Sequence, residues 1–207
     1  MPNLEPRILP GSIYTINTPP YLFGSAQGDG SGSRLAGSDG TLQFGIHGDG
    51  RGSWAWCGVC IPFSPRTDTY VRIAPLASYS YNWACWGNIL TAHTDGTLGT
   101  HVHQYGSDWK ETPSPTLPDA VYFSTARVWS QGSNDSPNAD DGTGYFSSWT
   151  EGAGEVFLPT GYNYLIWAWC GGSCDDSDDN SPFPYAYSEA YGSMSARVYY
   201  IMLALLT

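Results

Sequence analysis

The stretch GYNYLIWAWCGGSC, Gly161 to Cys174, decides how this chain is read. Side chains on an extended backbone alternate between two faces. One face takes Tyr162, Tyr164, Ile166, Ala168 and Cys170; the other takes Leu165, Trp167 and Trp169. Both faces are apolar, so the pattern predicts a central strand covered on both sides. β-Branched and aromatic residues, with Gly at both ends, weigh against a buried helix. The tetrad Trp-Ala-Trp-Cys recurs at 54–57, followed by Gly58 and Cys60. If the two copies are neighbouring strands, Cys57 and Cys170 share the face opposite the tryptophans.

The rest of the chain repeats this style at lower intensity. Short apolar runs lie between turn residues, and no window sustains a 3.6-residue period. Strands are expected over 41–47, 54–62, 69–74 and 78–86, the last two separated by Pro75. Asp95-Gly96 is the strongest hairpin signal, joining 89–94 to 97–104. Further strands are expected over 120–129, 146–150, 162–170, 185–191 and 198–206. Residues 24–40 and 131–144 read as polar loops. A Pro-rich arm occupies residues 1–23, with one strand-like piece over 12–16, and residues 24–207 form a single domain. The fold class is all-β, an antiparallel jelly-roll-like β-sandwich of about 10–12 short strands.

The closing run, Val198 to Leu206, is again apolar on both faces. One face fits a sandwich core. The other needs a cover, either the chain's own loops or a symmetric subunit contact.

Charge narrows the partners. Nineteen acidic against eight basic residues give a net charge of −11. An acidic surface repels phosphate backbones, which argues against nucleic-acid binding. No apolar run approaches the ~20 residues that span a bilayer, so no membrane insertion is expected. No basic-then-apolar leader opens the chain.

Candidate metal ligands form three groups. Cys57/Cys60 and Cys170/Cys174 are C-x2-C and C-x3-C pairs. They admit three states: buried free thiols, disulfides, or a tetrahedral zinc site. Cys85, in NWACW, reads as a core thiol. Asp175, Asp176, Asp178 and Asp179 offer oxygen ligands in one loop, which suits calcium as well as a plain solvated acidic loop. His101 and His103 share one strand face, while a turn at 95–96 puts His93 on the other. His-x-His is similar to the triplets of trimeric phage fibres, which hold a metal on the threefold axis; solvent-facing histidines are the alternative.

No nucleophile elbow, H-E-x-x-H, P-loop or G-x-G-x-x-G is present in the sequence, so no enzyme is expected. Twenty-four Trp and Tyr residues offer flat faces for sugar rings. Loop-proximal candidates for such a glycan platform are Trp109, Tyr145, Trp149, Tyr185, Tyr187 and Tyr191.

An arm, a jelly-roll body and a terminal apolar strand together resemble accessory structural proteins of tailed bacteriophages. The segment VFLPTGYNYLIWAW is also similar to the G-x-Y-x-F strand of trimeric C1q/TNF-like jelly rolls, offset by one residue. The phage resemblance implies a non-enzymatic tail or capsid component in a virion. Its partners would be itself, as a homo-oligomer such as a trimer, and other virion proteins. The alternative is a secreted carbohydrate-binding or adhesin domain that recognises cell-surface glycan.

Overall fold

The structure is a computed structural model, and it describes residues 13–29, 33–49, 52–88, 91–110, 121–133, 137–147, 155–175 and 187–206. Every regular element among them is a β-strand. In chain order these are β1 Ile13–Asn17, β2 Phe23–Gly28, β3 Arg34–Ala36, β4 Thr41–Asp49, β5 Ser53–Phe63 and β6 Thr69–Asn88. They continue with β7 Ala92–Tyr105, β8 Val121–Ser133, β9 Asn138–Ser147, β10 Glu155–Leu158, β11 Asn163–Asp175 and β12 Tyr187–Leu206.

Two antiparallel sheets face each other. One runs β10-β6-β12-β4-β3, with β1 added on β12 and β9 on β6; the other runs β2-β5-β11-β7-β8. Strands β4, β12, β6 and β9/β10 alternate with β5, β11, β7 and β8 across the sandwich, which is jelly-roll order. Inward residues of both sheets fill the core. Leu42, Phe44, Val71, Ile73, Met194 and Ile201 come from the first sheet. Val59, Leu98, Val102, Trp129, Ile166 and Cys170 come from the second.

β11 sits at the middle of its sheet, paired along its length to β5 and β7. Its inner face fills the core, but on its outer face Leu165, Trp167 and Trp169 are only half-buried, so the cover expected on both sides is complete on the inner side alone. β6 and β12 play the same part in the other sheet, each 20 residues long. They pair almost end to end, with one irregularity between Val198 and Tyr200. Past it, Ile201 and Leu203 point into the core, while Met202 and Ala204 lie on the outer side and are also buried. Both faces of the terminal run are therefore covered within one chain, and no subunit contact is needed there.

Several expected boundaries change. Pro75 does not break β6. On one side Pro75 pairs with Ile201; on the other it falls between β9, which ends at Ser147 opposite Leu76, and β10, which begins at Glu155 opposite Arg72. Among the described residues none pairs with Pro75 on that side, so a residue without an N–H is tolerated. Asp95-Gly96 is not a hairpin but lies inside β7. A Cβ on Gly96 would stand 2.1 Å from the Trp129 ring, so this glycine is a seat for an indole. The loop expected over 24–40 contains β2 and β3, and the one over 131–144 contains most of β9. Of the short strand expected over 146–150, residues 146–147 end β9 and 148–150 lie outside the described residues. Of the strands expected over 185–191 and 198–206, residues 187–191 and 198–206 fuse into β12 and 185–186 lie outside the described residues. In the arm, Ile13–Asn17 pairs with Ile201–Leu205 of the same chain.

Candidate functional site

The site is the outer face of the five-stranded sheet. Register decides which side chains meet there. Cys170 of β11 stands opposite Cys57 of β5, and Trp169 opposite both Gly58 and Gly99. Parity then sends the cysteines inward and the tryptophans outward, as the sequence pattern requires. Trp54 and Trp56 of β5, Trp167 and Trp169 of β11, and His101, His103 and Tyr105 of β7 share one surface.

These rings form two contacting groups on one surface, an aromatic track. Trp56 meets Trp167 edge-on at 6.1 Å, and Trp167 stacks on His101 at 5.8 Å with an interplanar angle of 16°. Trp169 leans on His101 at 6.4 Å. His103 stacks on Tyr105 at 4.7 Å, and Tyr105 reaches Trp109 at 5.9 Å. Trp56, Trp167, Trp169, His101, His103 and Tyr105 are half-buried; Trp54 and Trp109 are exposed. From His101 to Tyr105 the track runs ~13 Å along β7, then crosses two strand spacings of ~4.8 Å to β5.

Glycines lay the indoles flat. The Trp169 ring lies 2.8–2.9 Å from where a Gly99 Cβ would stand. A Gly58 Cβ would meet Trp169 Cβ at 3.0 Å and Trp167 Cε3 at 3.3 Å. Only glycine lets these rings settle against the sheet, so the other faces of the rings turn outward.

Trp109 ends the track on a tight turn. Gly106 N–H donates to Lys110 O at 2.8 Å, and Trp109 N–H donates to Gly106 O at 2.9 Å. Its φ is +63°, a left-handed conformation that a bulky residue rarely adopts. Such strain concentrates at binding and catalytic sites.

Burial shapes the titration of the face. It pushes His101 down to about 4, with the neighbouring His103 adding to the shift. His101 is therefore a neutral ring at neutral pH and part of an uncharged aromatic surface. Elsewhere on the same face, His93 Nε2 lies 3.3 Å from Ser130 Oγ, and Ser173 Oγ donates to Asp95.

The remaining candidates fall in other places. His93 shares the face of His101 and His103, because β7 is continuous, yet stands eight residues away, ~26 Å along the strand. Of the four cysteines considered for zinc, Cys57 and Cys170 meet at 3.5 Å. Cys60 sits on the opposite face of β5 and Cys174 lies four residues beyond Cys170, so the structure does not gather the tetrad. Burial pushes Cys60 up to about 12 and Cys174 up to about 11. Among the described residues no three His, Cys, Asp or Glu side chains converge as metal ligands. Asp175 ends β11, exposed and opposite His93. Asp176, Asp178 and Asp179 lie outside the described residues, as do Trp149, Tyr185 and the side chain of Tyr187.

Of the named platform residues, Trp109 joins the track. Tyr145 and Tyr191 sit on the outer face of the other sheet, beside shallow clefts of about 510 and 740 Å³ floored by Ser78, Ser80 and Asn82. Sequence reasoning missed Trp54, Trp56, Trp167 and Trp169 as a surface by assigning them to packing. The signal was present: all four lie on the face opposite the cysteines of the repeated tetrad.

No family model matches the chain, and no curated protein matches it. Among solved structures, the enzymatically active domain of tailspike protein 4 of bacteriophage CBA120 is 10% identical at a TM-score of 0.25; the alignment covers 90% of this chain and 19% of that one. TmCBM61 in complex with β-1,4-galactotriose is 7% identical at 0.19, covering 81% and 88%. The infectious bursal disease virus Gt strain structure is 10% identical at 0.23, covering 99% and 41%. The chain thus spans about a fifth of the tailspike domain. At these TM-scores the functional argument rests on the aromatic face alone. Among the described residues no helix is long and apolar enough to cross a membrane.

Proposed function

We propose that this chain is a non-enzymatic, carbohydrate-binding β-sandwich that takes a neutral glycan along the outer face of β5, β11 and β7. The observation that carries the reading is a pair of ring groups aligned on one face, Trp56–Trp167–His101 and His103–Tyr105–Trp109. Aromatic rings laid flat offer apolar faces to the C–H faces of sugars, and the indole N–H and tyrosine O–H groups add polar handles. Supporting features are the glycine seats under the indoles, the strained Trp109 and the uncharged His101. The net charge of −11 favours neutral over anionic glycans. A glycan array on the intact chain, repeated with Trp167→Ala, tests the reading. Binding to neutral glycans that disappears in the variant supports it; an array without hits overturns it.

A second reading, a self-assembling virion component, is favoured by a different observation. Ile13, Tyr14 and Ile16 of β1, with Leu22 and Phe23, are exposed large apolar residues within one short segment. Such a run suits a subunit contact. Light scattering decides this reading: a concentration-independent monomer counts against it. β1 extends the other sheet, whereas Phe23 stands opposite Cys60 on the same outer face as Trp167, so a subunit contact through Leu22 and Phe23 would border the track.

A further inference from the structure

We propose that Cys57 and Cys170 are an oxidation site that closes into a cross-strand disulfide beneath the aromatic face. The inference is independent of glycan binding and rests on three features of the pair. First, the two residues are direct register partners on adjacent antiparallel strands. Directly opposed residues have Cα atoms ~4.5–5.5 Å apart, inside the ~4.4–6.8 Å range that a disulfide spans. Second, their sulfurs already face each other at 3.5 Å. Third, both side chains are fully buried in the core, so no competing thiol or solvent lies between them. The other three cysteines lack such a partner. Cys174 Sγ–H donates to Thr94 Oγ1, Cys85 Sγ–H points to Gln131 O at 4.0 Å, and Cys60 lies on the far face of β5.

The chemistry needs a two-electron oxidant, here a small-molecule disulfide such as oxidised glutathione. One cysteine thiolate attacks a sulfur of that disulfide and releases the first glutathione thiolate, leaving a mixed disulfide. The second cysteine thiolate attacks the protein sulfur of the mixed disulfide and releases the second glutathione. Two protein thiols lose two electrons and two protons, and one oxidised glutathione becomes two reduced molecules. Timing follows from burial. In the folded core, the contact with Cys57 and burial both hold the Cys170 thiol well above its ordinary range. The thiolate is the attacking species, so oxidation belongs to folding, before the sheets close.

The bond would tie β5 to β11 at the point where both carry their indoles. It would also close a span with a sequence separation of 113 residues, so it restricts the unfolded chain strongly.

The test refolds the denatured full chain in oxidised and reduced glutathione, alkylates it under denaturing conditions and maps the peptides. The expected product is lighter by two hydrogens, with Cys57 and Cys170 linked and Cys60, Cys85 and Cys174 alkylated. Its Tm should exceed that of the reduced chain by roughly 5–15 °C. The same product should form with Cys85→Ser and fail to form with Cys170→Ser. Already folded reduced chain should oxidise far more slowly. Five alkylated cysteines after oxidative refolding, or a link between any other pair, overturns the proposal.

Discussion

At the scale of single residues, the glycines opposite the tryptophans do more than any polar group to define the face. A side chain at position 99 would occupy the place where Trp169 lies. Gly99→Val should therefore lift the indole, weaken glycan binding and cost about 1–3 kcal/mol of stability by overpacking. Denaturant unfolding and the tryptophan emission spectrum check both effects. His101 carries a second prediction. Its folded form takes up a proton only near pH 4, whereas the unfolded chain does so near 6.5. The unfolded state thus binds more protons between those values, and stability must fall as pH drops from about 6.5 towards 4. Tm measured across this range should decline, and His101→Phe should flatten the decline. A pH-independent Tm in the wild type contradicts the assignment.

At the scale of elements, what could be read from the sequence depended on whether local pattern and tertiary demand agreed. In β11 they agreed in part: alternation gave the strand and the repeated tetrad gave the facing cysteines, but the doubled apolarity implied a full cover that the half-buried outer face of Trp167 and Trp169 lacks. Pro75 and Asp95-Gly96 are the opposite case. Their local chemistry signals a break, but one falls in a gap between edge partners and the other makes room for Trp129. Neither reason exists within a few residues of the position concerned. β9 was hidden because Asn, Asp and Gly dominate its exposed strand. The aromatic track was half legible: the residues were visible, but only the register of β5, β11 and β7 aligns them. The elements also predict a gradient of stability. β11 is flanked on both edges along its length, while β1 is a five-residue addition with exposed side chains. Amide exchange should be slowest in β11 and β12 and much faster in β1. Equal protection of β1 and β11 would contradict this layering.

At the scale of the whole molecule, two opposed sheets give this chain two outer faces of different character. One is a track of tryptophan, histidine and tyrosine rings; the other is lined by serine, threonine, asparagine and tyrosine. The chain as a whole carries a net charge of −11. At physiological salt the protein should show no affinity for heparin or duplex DNA, and retention on a heparin column would contradict the charge argument. The central claim, that the aromatic track is a glycan-binding surface, is tested most directly by calorimetric titration of wild type and Trp167→Ala. The titrant is the best neutral oligosaccharide from the array. The account predicts saturable binding by the wild type and at least about tenfold weaker binding by the variant, with unchanged circular dichroism. Equal affinity in the two proteins, or no binding by either, would contradict it.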